Sequence, residues 1–321
     1  MSNVSKNRMN EVVALVEKFG VRGAADALGI SEETVSRYLR KSKLLSLHPS
    51  VDDRPKHLPK VLVFDIETSP ILARVWSIWQ QNVGLNQIKE DWFVLSYAAK
   101  WLGVDGVIYK DLRGVIDNTE KGYRDEVLLR GIWQLLNDAD VVITQNGIKF
   151  DSKKLNARFV MNGFQPPSHY KHIDTLKIAK FNFGFTSNKL EYMTDKLCTK
   201  YKKQVQRDFN GFELWKECLA DNPKAWECME KYNKYDVLSL EELYYVLAPW
   251  DRKHPNFALL TGADEPTCRC GSTKFVRNGY AYTQVSKFQK YRCAKCGAET
   301  RGGVNLIDTD ERKKLHRNIA Q

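Results

Sequence analysis

No stretch of this chain approaches the ~20 consecutive apolar residues that a bilayer-crossing helix needs, and no secretory apolar segment precedes a cleavage site. Partnership with a membrane is therefore not expected. Cysteine is sparse and odd in number, seven in 321 residues. That count argues against a disulfide framework and for a reducing, cytoplasmic setting. The chain has no internal repeat and no low-complexity tract. It also lacks an acidic excess: 50 Lys and Arg against 39 Asp and Glu leave a net charge of +11.

The length suggests about two domains of ~150 residues with room for a substantial core. The positive charge is unevenly placed. Residues 1–60 carry 11 basic and 7 acidic side chains, residues 61–260 carry 27 and 26, and residues 261–321 carry 12 and 6. The middle is nearly neutral and both ends are basic, as expected of appendages that grip nucleic acid.

The most apolar short run is Val61-Leu62-Val63-Phe64-Asp65-Ile66-Glu67-Thr68, closed by Ser69-Pro70. It reads as a buried central strand. Side chains alternate along a strand, so Asp65 and Glu67 share one face. Paired carboxylates in a core need a cation, and a divalent metal with oxygen ligands, Mg²⁺ or Mn²⁺, is the expected one. Downstream, Val141 to Thr144 reads as a strand, Asn146-Gly147 as a turn, and a helix opens near Asp151. A second helix, Trp226 to Leu247, carries Tyr232 and Asp236 four residues apart on one face, in line with Met229 and Leu240.

Asp65-Ile66-Glu67, then Asn146-Gly147 with Phe150-Asp151, then Tyr232 with Asp236, resemble the three motifs of DEDD-type 3′–5′ exonucleases. Tyr232 matches the tyrosine subtype, and Lys231 stands where the histidine subtype would carry its histidine. The wording is most similar to the proofreading domains of family-B DNA polymerases and their stand-alone, phage-type relatives, over roughly residues 60 to 250. The resemblance implies an RNase H-like α/β core, a mixed sheet flanked by helices, and two-metal hydrolysis that releases nucleoside 5′-monophosphates from a 3′ end. It implies that Asp65 bridges two metals, that Glu67 and Asp236 complete the first, and that Asp151 anchors the second. Four carboxylates against two divalent cations make a nearly neutral site. Tyr232 would orient the attacking water, since a phenol is a poor base near neutral pH. Asn146 would contact substrate.

Two residues near these motifs admit two readings each. Asp174 either caps the following helix or joins the metal site, and capping is favoured. Lys189 either packs beside the cleft or holds a phosphate. Of Trp76, Trp79, Trp92 and Trp101, most are expected in the core, with some free to stack bases.

Residues 1–45 read as a helix-turn-helix. Helices are expected over Met9 to Phe19, from Gly20 to Leu28, and over Glu32 to Lys41. Gly29 makes the turn, Ser31 is a good N-cap, and Arg37 and Arg40 are exposed for a DNA groove. The alternative is a three-helix docking module. Residues 46–59 carry Pro49, Pro55 and Pro59 and suit an extended linker between this segment and a core over 60–252.

Cys268, Cys270, Cys293 and Cys296 in two close pairs read as a zinc ribbon over 262–303 with one structural Zn²⁺. The first pair is Cys-x-Cys, with Thr267 where the more usual spacing would place a ligand. Lys290 and Arg292 between the pairs are candidate nucleic-acid contacts, and a basic tail, 304–321, follows. Cys198, Cys218 and Cys228 read as reduced thiols.

The expected function is a metal-dependent 3′–5′ exonuclease acting on DNA, more readily than on RNA, from single-stranded ends. Rivals are a transposase- or integrase-like enzyme and a non-catalytic DNA-binding regulator. Expected partners are nucleic acid and a separate polymerase or other replication, repair or recombination proteins, in the host cytoplasm if the chain is phage-encoded.

Overall fold

The computed structural model describes residues 3–36, 38–39, 59–115, 125–201 and 208–319. Arg37, Arg40 and the expected linker, apart from residue 59, lie outside the described residues. The chain divides into two compact units, Met1–His57 and Leu58–Gln321.

In the first unit, α1 (Asn3–Leu28) is broken at Gly20, whose φ of 70° and ψ of 176° are non-helical. Only glycine enters that region without strain. Gly29 turns the chain at φ 62°, and helical backbone resumes over 32–36 and 38–39. Ser31 Oγ accepts the Thr34 backbone N–H at 3.2 Å, capping this last helix. Val12, Ala24, Ala25 and Val35 are buried together, with Leu15, Val16, Leu28 and Leu39 packed around them. The two alanines let the helices approach closely.

The second unit is built on a five-stranded mixed sheet. Its strands are β1 (Val61–Thr68), β4 (Val94–Trp101), β5 (Ile108–Asp111), β6 (Val141–Thr144) and β7 (Lys171–Asp174), in the order β5-β4-β1-β6-β7. β4 is antiparallel to β1 and to β5, whereas β6 is parallel to β1 and to β7. Between β1 and β4 the chain makes a small hairpin of β2 (Leu72–Ala73) and β3 (Ile88–Glu90).

Helices α2 (Glu126–Asp138), α3 (Asp151–Met161), α4 (Thr175–Asn182), α5 (Leu190–Leu197), α6 (Glu213–Leu219) and α7 (Pro223–Leu247) flank the sheet. Alternation along β1 divides the core into two clusters. Leu62, Phe64 and Ile66 pack with Leu128 and Ile132 of α2, Leu155 and Phe159 of α3, and Trp226 and Met229 of α7. Val61 and Val63 pack with Ile178 of α4, Met193 of α5, and Val237, Leu240 and Leu243 of α7. Asp65 and Glu67 continue the Val61–Val63 side. The long α7 serves both clusters, and Asp236 lies between its two contact regions.

A buried ion pair sets α3. Arg158 donates through Nε and Nη2 to Asp125 at 2.8 and 2.6 Å, and Asp125 also accepts the Val94 N–H at 2.9 Å. Asp125 is wholly buried and Arg158 nearly so. Removing either partner would strand a charge in the core, at a cost of about 3–5 kcal/mol.

A three-stranded antiparallel sheet ends the chain. It consists of β8 (Phe275–Thr283), β9 (Ser286–Cys293) and β10 (Glu299–Asn305), in the order β10-β9-β8. It is fastened to the larger sheet's helices through Arg269. That guanidinium donates to the carbonyls of Ala248 and Pro249, each at 2.8 Å, and to that of Asp251. These carbonyls follow the end of α7, where backbone acceptors run out of helical partners.

Candidate active site and cysteine cluster

β1 pairs with β6 only over Val61–Val63, while its pairing with β4 runs on to Thr68. Beyond Val63 the β6 side of the strand is therefore open to side chains. Asp151, the first residue of α3, enters there, and its Oδ1 accepts the Ile66 N–H at 3.2 Å. Asp65 and Glu67 flank Ile66. One ligand oxygen each from Asp65, Glu67 and Asp236 can be chosen so that all three lie within 4.8 Å of one another. Asp151 is not a member of that trio; it adjoins it along β1. Burial pushes the Asp151 carboxyl up to about 7, with the Asp174 charge adding to the rise and the Ile66 N–H opposing it.

Three like-charged oxygen donors at this separation fit a hard divalent cation such as Mg²⁺ or Mn²⁺. Tyr232 lies one turn before Asp236 on α7, on the same face of the helix. Its phenol is held far above its ordinary range, first by burial and then by the charges of Asp236, Glu67 and Asp65. It therefore stays protonated, with Trp215 packed edge-on against its ring at 6.3 Å between centroids.

Asn233 is the neighbour that sequence patterns do not reveal. It is wholly buried. Its Nδ2 donates to Asp65 Oδ2 at 2.8 Å, and its Oδ1 accepts from Ser96 Oγ at 3.3 Å. Ser96 stands opposite Glu67 in the β1–β4 register. One carboxamide thus ties α7 to both strands at the acid cluster.

Asp174 caps α4 and does more. It accepts the N–H groups of Leu176 and Lys177, and also those of Asn146 and Ile148 in the preceding turn. Asn146 adopts a left-handed φ of 66°. At Gly147, a Cβ would fall 2.2 Å from Thr144 Oγ1, so any larger residue would force the turn open. The turn leads directly into Asp151.

Asn146 and Lys180 border two adjoining grooves. One, of about 660 Å³, also receives Lys149, Lys177 and Lys253. The other, of about 540 Å³, receives Lys189. Lys189 is exposed, so its ammonium faces solvent at the groove.

The tryptophans depart from expectation. Trp76 is 96% exposed and Trp79 78%, because both lie in the β2–β3 hairpin. Trp92 is partly covered by Lys154, whose Nζ stands 3.6 Å from the ring centroid. Trp101 packs at the edge of the core.

The four cysteines of the C-terminal segment place their sulfurs within 4.8 Å of one another. Cys268 and Cys296 are 3.7 Å apart, and Cys270 and Cys293 are 3.8 Å apart. A tetrahedral ion with metal–sulfur bonds of ~2.3 Å has sulfur–sulfur edges of about 3.8 Å, so the cluster fits zinc. At Cys293 burial works to raise the thiol, but the N–H groups of Cys296 and Lys295, together with the Cys268 and Cys296 side chains, outweigh it and hold the thiol at about 6. Thr267 is not part of the group; its hydroxyl donates to the Glu265 carbonyl at 2.8 Å. Lys290 and Arg292 both approach Glu299, at 3.8 and 2.7 Å, so one of their two charges is neutralised within the sheet. Cys198 and Cys218 are buried cysteines outside any disulfide, and Cys228 is partly exposed.

No curated protein sequence matches the chain. Among solved structures it is similar to the family B DNA polymerase from the hyperthermophilic archaeon Pyrobaculum calidifontis. The match has 17% identity and a TM-score of 0.43, covering 60% of this chain and 25% of the polymerase. The chain thus spans a quarter of that protein's length. The model of the RNase_H superfamily matches residues 62–248, from the start of β1 to the end of α7. The chain belongs to the RNase_H superfamily.

Proposed function

We propose that this protein is a divalent-metal-dependent 3′–5′ exonuclease of the tyrosine DEDD subtype, removing nucleoside 5′-monophosphates from single-stranded DNA ends. The observation that carries the reading is the gathering of Asp65, Glu67 and Asp236 within 4.8 Å, with the Tyr232 phenol buried in the field of those three charges. Asp65, Glu67 and Asp236 would hold one cation, and Asp151 would contribute to a second. Bound cations supply Lewis-acid charge neutralisation and a more acidic water.

The chain's own residues supply position. The Asn233 amide holds Asp65 in one orientation. Tyr232, kept protonated, donates or accepts a hydrogen bond to orient water without removing its proton. Asn146 and the lysines of the adjoining grooves face an incoming phosphate backbone. The four cysteines would hold one structural Zn²⁺ as a ribbon, and residues 1–45 would act as a DNA-binding helix-turn-helix. The basic balance of both ends supports DNA as the partner, alongside a separate polymerase or repair machinery.

The test is incubation of end-labelled single-stranded DNA, duplex DNA and RNA with Mg²⁺ or with chelator. A ladder shortening from the 3′ end of DNA, abolished by chelator and by Asp65→Ala in a chain that still folds, is expected. A ladder that persists in the variant would refute the assignment.

A further inference from the structure

The β2–β3 hairpin leaves a large apolar surface uncovered. From residue 75 to residue 88 there is no charged side chain, yet Trp76, Ile78, Trp79 and Leu85 are between 78% and 96% exposed. A cluster of this kind on a protein surface marks a contact with something else. The hairpin is not a loose strand of chain. Ser69 N–H donates to the Phe93 carbonyl at 2.8 Å, and Phe93 N–H returns to Ser69 Oγ at 2.9 Å. Arg74 and Gln87 exchange two further bonds, at 2.9 and 3.0 Å. At the tip, Gln81 Nε2 donates to Ser77 Oγ and to the Trp79 carbonyl at 2.6 and 2.8 Å. The indoles are therefore displayed on a braced support.

The position of that support identifies the occupant. Ser69 follows Glu67 by two residues, and Phe93 precedes Val94, which pairs with Thr68 at the acid-bearing end of β1. Both feet of the hairpin thus stand beside the carboxylate cluster. On the β3 side, Trp92 is clamped under Lys154 of α3, the helix that begins with Asp151. A strand whose phosphate lies at these acids must carry its bases past this neighbourhood.

An uncharged tip offers no cation to phosphate but presents flat faces to unpaired bases, and tryptophan is a strong stacking partner for any base. Aliphatic neighbours such as Ile78 and Leu85 suit insertion between bases. We infer that Trp76 and Trp79 form a base-stacking platform that holds unpaired nucleobases of the strand being processed. The inference rests on the nuclease reading and adds its base contacts. Phosphates are left to the lysine-lined grooves, and sequence preference is expected to be weak because every base has a stacking face.

The experiment measures binding of the full chain, in chelator so that nothing is cleaved, to a 5′-labelled single strand of thymidylates. A strand of equal length made of abasic units serves as comparison. Wild type is expected to favour the base-bearing strand by roughly ten-fold or more, the scale of one or two stacked bases. Trp76→Ala/Trp79→Ala should lose most of that preference while binding the abasic strand as wild type does. Trp76→Phe/Trp79→Phe should keep most of it. An unchanged preference in the alanine variant would overturn the proposal. So would sedimentation that finds wild type dimeric and the alanine variant monomeric, since the surface would then be covered by a second copy. Wild type binding both strands equally sinks the platform and leaves the nuclease reading standing. Wild type binding neither strand removes both.

Discussion

Asn233 illustrates what a residue can do for an acid cluster without adding a carboxylate to it. Its amide reaches Asp65 at 2.8 Å from a helix 168 residues further along the chain. Asn233→Ala should remove that bond, leave Ser96 without its acceptor, and lower the affinity for Mg²⁺ or Mn²⁺ by about 10–100-fold. The expected signature is a rightward shift in the metal dependence of hydrolysis, with saturating metal restoring much of the rate. Tyr232→Phe should behave differently. It deletes only a hydroxyl, so turnover should fall on the order of a hundred-fold while the Kd for a single strand in chelator hardly moves. Equal loss of rate and affinity would refute a water-orienting role. At this scale the sequence was legible where spacing carried the information: two acids two apart on a strand, and a tyrosine and an acid four apart on a helix. Asn233 follows Tyr232 directly and has no such spacing, so only the crossing of α7 over β1 and β4 reveals it. Asp174 was legible as a helix cap, but its grip on Asn146 and Ile148 depends on the β6–β7 register.

Among the elements, the parallel pair β6–β7 carries the turn that leads to Asp151, and His172 is built into it. Its Nε2 bonds to Thr144 Oγ1 at 2.7 Å. Burial, with the Lys177 charge adding to it and the Asp174 charge opposing, holds the imidazole down to about 4 from its ordinary 6.5. A depressed histidine is neutral in the folded chain while the unfolded chain takes up a proton first. Its contribution is therefore fully present above pH 6.5 and is lost as pH falls through about 4. The loss is on the order of 3 kcal/mol. Thermal unfolding followed from pH 7 to pH 4 should show this limb in wild type and a flatter one in His172→Gln. β1, β6, the opening of α3 and most of α7 were legible from apolar runs and spacing, whereas β4, β5 and α2 were not read from the sequence. The display of Trp76 and Trp79 was not legible either, because an apolar residue in a hairpin reads like one in a core until its neighbours are known.

For the whole molecule, charge separates the parts: a nearly neutral middle between two basic ends. Removing residues 1–45 should weaken duplex binding and flatten its salt dependence, each lost phosphate contact taking roughly 0.9 from the log–log slope. An unaltered slope would mean that the N-terminal helices grip something other than DNA. The C-terminal side does not permit the same surgery. Arg269 stands between two of the four clustered cysteines and at the same time stoppers the end of the helix that bears Tyr232, Asn233 and Asp236. A chain cut before residue 262 would uncork that helix, and a drop in hydrolysis would then report fraying under the carboxylates instead of a missing hand on the nucleic acid. Were the four cysteines to hold zinc, its removal should travel the same route, and the Asp65–Glu67–Asp236 cluster would then be expected to lose affinity for magnesium some distance from where zinc would sit.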